Sequence, residues 1–345
     1  MSTVRHCLAT RVLPALLALP AGSAFALNIL LCNDDGITAA NVRALKTQLA
    51  AAGHRVLLSG PIANQSGTGG SVSFLRPIPA LNGSERGAVA LGLPAGTAGV
   101  GSDPGDPDVF YVNGTPVMAC LYGIDVQAPK VWGQAPDLVI SGPNEGNNTG
   151  HINNSSGTFN AMLYAVNRQL PAIAVSDNVT AQLTWSTALP PTSRPFEVAD
   201  IVVRLVDRLE RDEDKHSNAG RRLLPEGLGL NVNVPAFTAG TGAALPLRFT
   251  RIGQATAFAP AFYERLSDSP LAVASGVNLP LPGISLGVGG TALPSGVMLP
   301  LDASSSSEAN AIAAGGAVTV SPVQGVPEAS ERLLERLRRG SLQGR

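Results

Sequence analysis

Apolar and polar positions follow two rhythms along the chain. Leu27-Asn28-Ile29-Leu30-Leu31-Cys32 is a short apolar run that stops at Asn33-Asp34-Asp35-Gly36, the pattern of a buried strand followed by a loop. Val42, Leu45 and Leu49 then recur at helical spacing, with Arg43, Lys46 and Gln48 between them and Gly53 as a terminator. Val56-Leu57-Leu58-Ser59 is the next apolar run, ended by Gly60-Pro61. Strand, helix and strand in so short a stretch predict a βαβ unit with parallel strands and a right-handed crossover.

The rhythm returns downstream. Asp137 to Ser141 predicts a strand, Thr158 to Arg168 a helix, and Pro171 to Ser176 a further strand. Phe196 to Arg211 predicts a helix with Val198, Ile201, Val202, Leu205 and Leu209 on one face, followed by a strand from Leu228 to Val234. Val318 to Pro322 predicts a last strand and Ser330 to Arg339 a short C-terminal helix. This alternation predicts a three-layer α/β fold around an open, mostly parallel sheet. Residues 76–108 and 236–307 are rich in Gly, Pro, Ala and Ser and show no helical period, although Leu247 to Ile252 is strand-like. They are expected as long loops, or as β-hairpin and C-terminal arms laid on the core. No internal repeat is visible.

Composition narrows the class. Of 345 residues, 44% are hydrophobic and 14% charged, so a sizeable core forms and intrinsic disorder is excluded. A net charge of -1 gives no global attraction to nucleic acid or an anionic membrane. The N-terminus stands apart. Arg5, His6 and Arg11 precede the apolar run Val12 to Leu19, and Ser23-Ala24-Phe25-Ala26 offers small residues for cleavage. This is the layout of a secretory signal peptide, too short to span a bilayer. The expected organisation is therefore a signal over 1–26, cleaved after Ala26, and one exported domain over 27–345. Its core covers about 27–235, with arm and C-terminal elements from about 236 to 345. Cys7 leaves with the signal. An oxidising compartment permits a disulfide between Cys32 and Cys120, but two small buried thiols is the preferred reading for residues in apolar stretches.

Chemistry in an open α/β sheet gathers beyond the carboxyl ends of the strands. Those ends offer Asp34 and Asp35 after the first strand, Asn64-Gln65-Ser66-Gly67 after the second, and Gly142-Pro143-Asn144-Glu145-Gly146-Asn147-Asn148 after the strand at 137–141. Adjacent carboxylates repel unless a cation or donors offset the charge. Asp, Ser and Asn oxygens are hard ligands, suited to Mg²⁺, Mn²⁺ or Ca²⁺ rather than Zn²⁺. Asp-Asp-Gly alone fits an ordinary turn equally well, and the convergence of the loops favours a metal. Ser156-Gly157-Thr158 opens a helix, where it can cap backbone N–H groups and also receive an anion. His151 lies in the same loop, with contact to substrate left open. Gly67-Thr68-Gly69-Gly70-Ser71 lacks the lysine of a nucleotide-binding P-loop, and the chain has no Gly-x-Ser-x-Gly elbow of a serine hydrolase.

Taken in order, Leu30 to Gly36, Asn64 to Gly67, Val112-Asn113-Gly114-Thr115-Pro116, Pro136 to Asn144, Ser156-Gly157-Thr158, Pro171 to Ser176 and Asn231-Val232-Asn233-Val234-Pro235 resemble the SurE family. The resemblance is clear from Leu27 to about Pro235 and continues to Gly315–Pro322. It implies a Rossmann-like core with extended arms, often exchanged between subunits of a homodimer or higher oligomer. It also implies a divalent-metal phosphomonoester hydrolase acting on nucleoside monophosphates, a 5'/3'-nucleotidase or a broad acid phosphatase. Carried over by position, one metal ion per subunit would be held by Asp34, Asp35, Ser66 and Asn144, with Asp34 and Asp35 catalytic. Asn148, Ser156, Gly157 and Thr158 would surround the phosphate. His151 and Ile152 stand where the family usually shows an acidic pair, Ser155 where it shows Tyr, and Thr38-Ala39-Ala40-Asn41 where it shows His-Ala-Pro-Gly. With the export signal, these departures resemble its secreted, acid-phosphatase-like branch and place the strict nucleotide preference in question. Metal-activated water is the expected attacking group, with Asp34 as nucleophile the other choice. An exported protein that only binds an anion is the competing class, and metal-dependent release of phosphate separates the two.

Overall fold

The computed structural model describes residues 26–326 except 180–181, 213–222, 290, 292 and 295. β1 (Asn28–Cys32), α1 (Ala40–Ala51) and β2 (Arg55–Pro61) form the first unit, with β1 and β2 parallel as expected. Next come α2 (Arg86–Leu91), the antiparallel pair β3 (Val100–Asp103) and β4 (Asp106–Val112), α3 (Pro116–Tyr122), a π-helical turn and α4 (Ala128–Trp132). β5 (Leu138–Glu145), α5 (Gly157–Asn167), β6 (Ala172–Asp177), α6 (Arg194–Asp212) and β7 (Leu228–Val234) restore the predicted alternation. β8 (Leu247–Phe249), β9 (Phe258–Tyr263), α7 (Pro270–Ala274), β10 (Gly283–Val288), α8 (Glu308–Ala314) and β11 (Val318–Gln324) follow.

Among the described residues, nine strands make one sheet in the order β3-β4-β2-β1-β5-β6-β7-β11-β8. From β4 to β7 the pairings are parallel, while β3 and β11 run antiparallel to their inner neighbours. The chain leaves β1 towards β2 on one side and later returns to lay β5 on the other. The reversal opens a crevice between β1 and β5 at their carboxyl ends, where open α/β sheets bind ligands.

Alternation along β1 explains the layers. Ile29 and Leu31 face a core shared with Val42, Leu45 and Leu49 of α1 and Val198, Ile201 and Val202 of α6. Leu30 and Cys32 face the opposite core, with Phe159, Met162 and Val166 of α5. Successive side chains of a strand point to opposite faces, so a strand covered by helices on both sides reads as continuously apolar. All five residues of β1 are buried.

Several expectations needed correction. Within residues 76–108 the hairpin reading holds for β3 and the start of β4, which pair antiparallel, whereas the helix α2 was not expected. β4 escapes a hydropathy reading because its first residues, Asp106-Pro107-Asp108, are polar, while its buried half Val109–Val112 pairs in parallel with β2. Cys32 and Cys120 are not two free thiols but a disulfide that ties the end of β1 to α3. The two residues are 88 apart, and tertiary packing alone brings them together. From 236 onward, β11 and β8 extend the main sheet at its edge, and β9–β10 form a separate antiparallel ribbon. The signal (apart from Ala26) and the expected helix from Ser330 to Arg339 lie outside the described residues.

Candidate active site

Asp34 and Asp35 follow β1 directly and are 2% and 5% exposed, nearly sealed although both are acids. The N-terminus of α5 reaches Asp34. Thr158 Oγ1 donates a 2.6 Å hydrogen bond to Asp34 Oδ1. The backbone N–H groups of Gly157 and Thr158 also act on this carboxylate. The approach requires glycine at 157, since a Cβ there would lie 2.8 Å from Asp34 Cβ and 2.6 Å from Pro116 Cγ. Ser156 caps the helix, its side chain accepting from Phe159 N at 3.0 Å.

Asp35 is held from the other side. Its Oδ2 accepts from the Glu145 N–H at 3.0 Å and its Oδ1 from Gln182 Nε2 at 3.1 Å. Burial pushes the Asp34 carboxyl above the usual range, against the hydrogen bonds of α5. Burial, then the charges of Asp34 and Glu145, push Asp35 well above it. Glu145 is itself raised to about 7, chiefly by burial. Such a group of acids holds its charge cheaply only beside a cation.

Neutral oxygens complete the set. A register shift between Ser141 and Asn144 bends the end of β5 and carries Asn144 to the crevice. Asn144 Nδ2 donates to Gly146 O at 2.6 Å, so its amide oxygen is the atom it can offer to a cation. Ser66 is exposed in a loop whose neighbour Gln65 donates its N–H to Asp34 O at 2.8 Å. The all-oxygen set Asp34, Asp35, Ser66 and Asn144 matches the chemistry of Mg²⁺ or Mn²⁺.

A cavity of about 910 Å³ opens over this group. Asp34, Ser66, Asn144, Asn148 and Ser156 line it, whereas Asp35, Gly157 and Thr158 stand behind its wall. Asn148 is pinned from β7 and β6: its N–H donates to Asn233 Oδ1 at 3.0 Å, its carbonyl accepts from Asn231 and Asn233, and its Nδ2 donates to Ser176 Oγ. His151 is not part of the lining. Sequence reasoning named Glu145 only as part of its loop, without a role, and missed Gln182 and Glu308. Glu308, from the C-terminal arm, is fully buried and accepts from Gly150 N, Asn153 Nδ2 and Asn231 Nδ2, fixing the loop that carries Asn148 and Ser156. Nothing local in the sequence marks it. The asparagines could have been found, since Asn231 and Asn233 share one face of a strand whose other side is apolar.

A second cluster lies at the opposite end of the sheet, where ligand atoms of His54, Asp207 and Glu210 come within 4.8 Å of one another. His54 Nδ1 accepts from Leu27 N at 3.3 Å, which leaves the proton of the neutral ring on Nε2.

The family model described as Survival protein SurE matches residues 29–258, a span that holds Asp34, Asp35, Ser66, Asn144, Asn148 and the start of α5 but neither Glu308 nor the cavity-lining residues beyond 258. The chain belongs to the SurE family. An acid phosphatase of Yarrowia lipolytica is 34% identical over 209 residues, covering 60% of this chain and 56% of that protein. The 5'-nucleotidase SurE of Gloeobacter violaceus is 33% identical over 211 residues, covering 61% and 65%. The chain thus spans less than two thirds of the length of these two relatives. The solved SurE protein of Aquifex aeolicus aligns with 90% of this chain and 98% of its own, at a TM-score of 0.59 and 22% identity, which establishes a common SurE fold.

Proposed function

We propose that this SurE-family protein is a phosphomonoester hydrolase that works with one divalent ion per subunit, Mg²⁺ or Mn²⁺, with Ca²⁺ also compatible with the oxygen set. Nucleoside monophosphates are among its substrates, as the nucleotidase relatives suggest. The observation that carries this reading is the pair of buried, adjacent acids that share a crevice with Asn144 and Ser66 and meet a helix N-terminus. The ion would be held by Asp34, Asp35, Ser66 and Asn144. When bound it supplies Lewis-acid stabilisation of phosphoryl charge and a more acidic water.

The residues divide the remaining work. Asp34 lines the cavity and Asp35 does not, so of the adjacent pair Asp34 is the carboxylate able to take a proton from an attacking water. Water adds to phosphorus, the bond to the alcohol oxygen breaks, and Asp34 passes the proton on to that oxygen. Asp35, behind the wall, supplies charge and anchors the ion. Asn148 and Ser156 face the phosphate, Gly157 lets α5 approach, and Thr158 orients Asp34. Uncatalysed hydrolysis of phosphate monoesters is among the slowest reactions known, and oriented charge is what accelerates it.

The disulfide supports the export reading, since such bonds persist in oxidising compartments. Phe262 and Ile284, opposite one another on β9–β10 and 64% and 71% exposed, support a homo-oligomer. The test is phosphate release from nucleoside monophosphates and simple phosphomonoesters, after chelation and after return of Mg²⁺ or Mn²⁺. Release that needs the metal is expected. Full release after exhaustive chelation overturns the metal assignment, and none under any condition leaves a protein that only binds the anion.

A further inference from the structure

The cavity is much larger than a phosphate requires, and its two ends differ in chemistry. One end is the polar crevice described above. The other is walled from the arms and the loop before α5, by Ile152, Phe258, Leu271, Leu286, Leu301 and Ile312. Among the described lining residues the ionisable groups are Asp34 and Glu145, both acids, and no Lys, Arg or His is present. Phe258 is the one aromatic ring among them, so no facing pair can sandwich a base.

The polar side chains that the arms bring to this wall, Thr256 and Asn310, already make hydrogen bonds within the arms. Thr256 Oγ1 donates to Phe258 O and accepts from Phe258 N. Asn310 Nδ2 donates to the carbonyls of Asp302 and Ser304. A ribose or base seated there would give up water for few new partners, whereas an aliphatic or phenyl group loses nothing polar and buries its surface. A second phosphate there would meet no cation.

We propose that the arm side of the cavity is a leaving-group subsite selecting monoesters of apolar alcohols, of the alkyl and aryl phosphate class, over sugar phosphates and nucleotides. The inference rests on the site being a phosphomonoesterase and adds which ester it prefers.

The test uses the full mature chain at saturating Mn²⁺ and compares kcat/KM for ethyl, butyl and hexyl phosphate with glycerol phosphate and a nucleoside monophosphate. The three alkyl alcohols have nearly equal acidity, so their ranking reports binding of the leaving group and not its chemistry. We expect kcat/KM to rise roughly two- to fourfold per methylene, and hexyl phosphate to exceed glycerol phosphate by about tenfold or more. Leu301→Asn and Ile312→Asn should flatten that slope. Leu301 is 90% exposed, so its replacement leaves the core intact and keeps the comparison readable. Equal values across the alkyl series, or a preference for glycerol phosphate or the nucleotide, overturn the subsite. A slope unchanged in both variants removes it from these walls. Hydrolysis of no ester overturns the phosphomonoesterase reading itself, and the subsite with it.

Discussion

Thr158 Oγ1 and Asp34 Oδ1 stand 2.6 Å apart, joining the first turn of α5 to the loop after β1. The hydroxyl is thereby committed to the carboxylate, with no exposed surface left for substrate. Thr158→Val should therefore weaken Mn²⁺ binding by about tenfold or more, since a hydrogen bond to a charged group contributes about 1.5–3 kcal/mol. Thr158→Ser should restore it. Calorimetric titration checks both variants. A changed phosphate inhibition constant with unchanged metal affinity would instead make Thr158 a phosphate ligand.

Asp34 and Asp35 differ in position and should differ in mutation. Asp34→Asn removes the proposed base, and turnover should fall by about a hundredfold or more at any metal concentration. Asp35→Asn should act mainly on metal affinity, with part of the turnover returning at high Mn²⁺. Both metal-free variants should melt no lower than the parent, because each loses a buried charge that desolvation disfavours. Turnover against Mn²⁺ concentration decides the division of roles, and identical curves for the two variants would abolish it.

How much of this was legible in the sequence depends on the range of the interaction. β1, α1, β2, α5, β6, α6 and β7 are local patterns, and the hydrophobic period reveals them. Asp34, Ser66 and Asn144 were legible because each follows or ends a strand and strand ends converge. Gln182 and Glu308 were not, because loop and arm residues are brought to the site by contacts 147 and 158 residues apart. The commitment of Thr158 to Asp34 was hidden for the same reason, at a separation of 124.

Glu308 supplies a pH signature. Burial raises its carboxyl from 4.5 to about 7. A raised carboxyl contributes stability that is fully present below its unfolded pKa and is lost as pH rises through the folded one. In chelator, the unfolding free energy of the wild type minus that of Glu308→Gln should fall by about 3 kcal/mol between pH 4.5 and 7.5, because each tenfold change in proton affinity is equivalent to about 1.4 kcal/mol. Urea titrations at a series of pH values measure it, and a flat difference would place Glu308 at an ordinary pKa.

The Cys32–Cys120 bond closes a long loop and ends beside the acidic pair. Cys32→Ala with Cys120→Ala should cost about 2–4 kcal/mol of stability. It should also lower metal affinity, because β1 would no longer be tied to α3 immediately before Asn33 and Asp34. Denaturation under oxidising and reducing conditions checks the first effect: reductant should weaken the parent and leave the double variant unmoved.

The central claim is that one divalent ion held by Asp34, Asp35, Ser66 and Asn144 makes this crevice hydrolytic. Metal content and phosphate release, measured on the same samples as Mn²⁺ is added back to chelated protein, test it most directly. Turnover should rise in proportion to occupancy and saturate at one ion per chain, with Asp34→Asn failing on both counts. Turnover that persists without metal, or a Mn²⁺ affinity unchanged from the parent in both Asp34→Asn and Asp35→Asn, would contradict it.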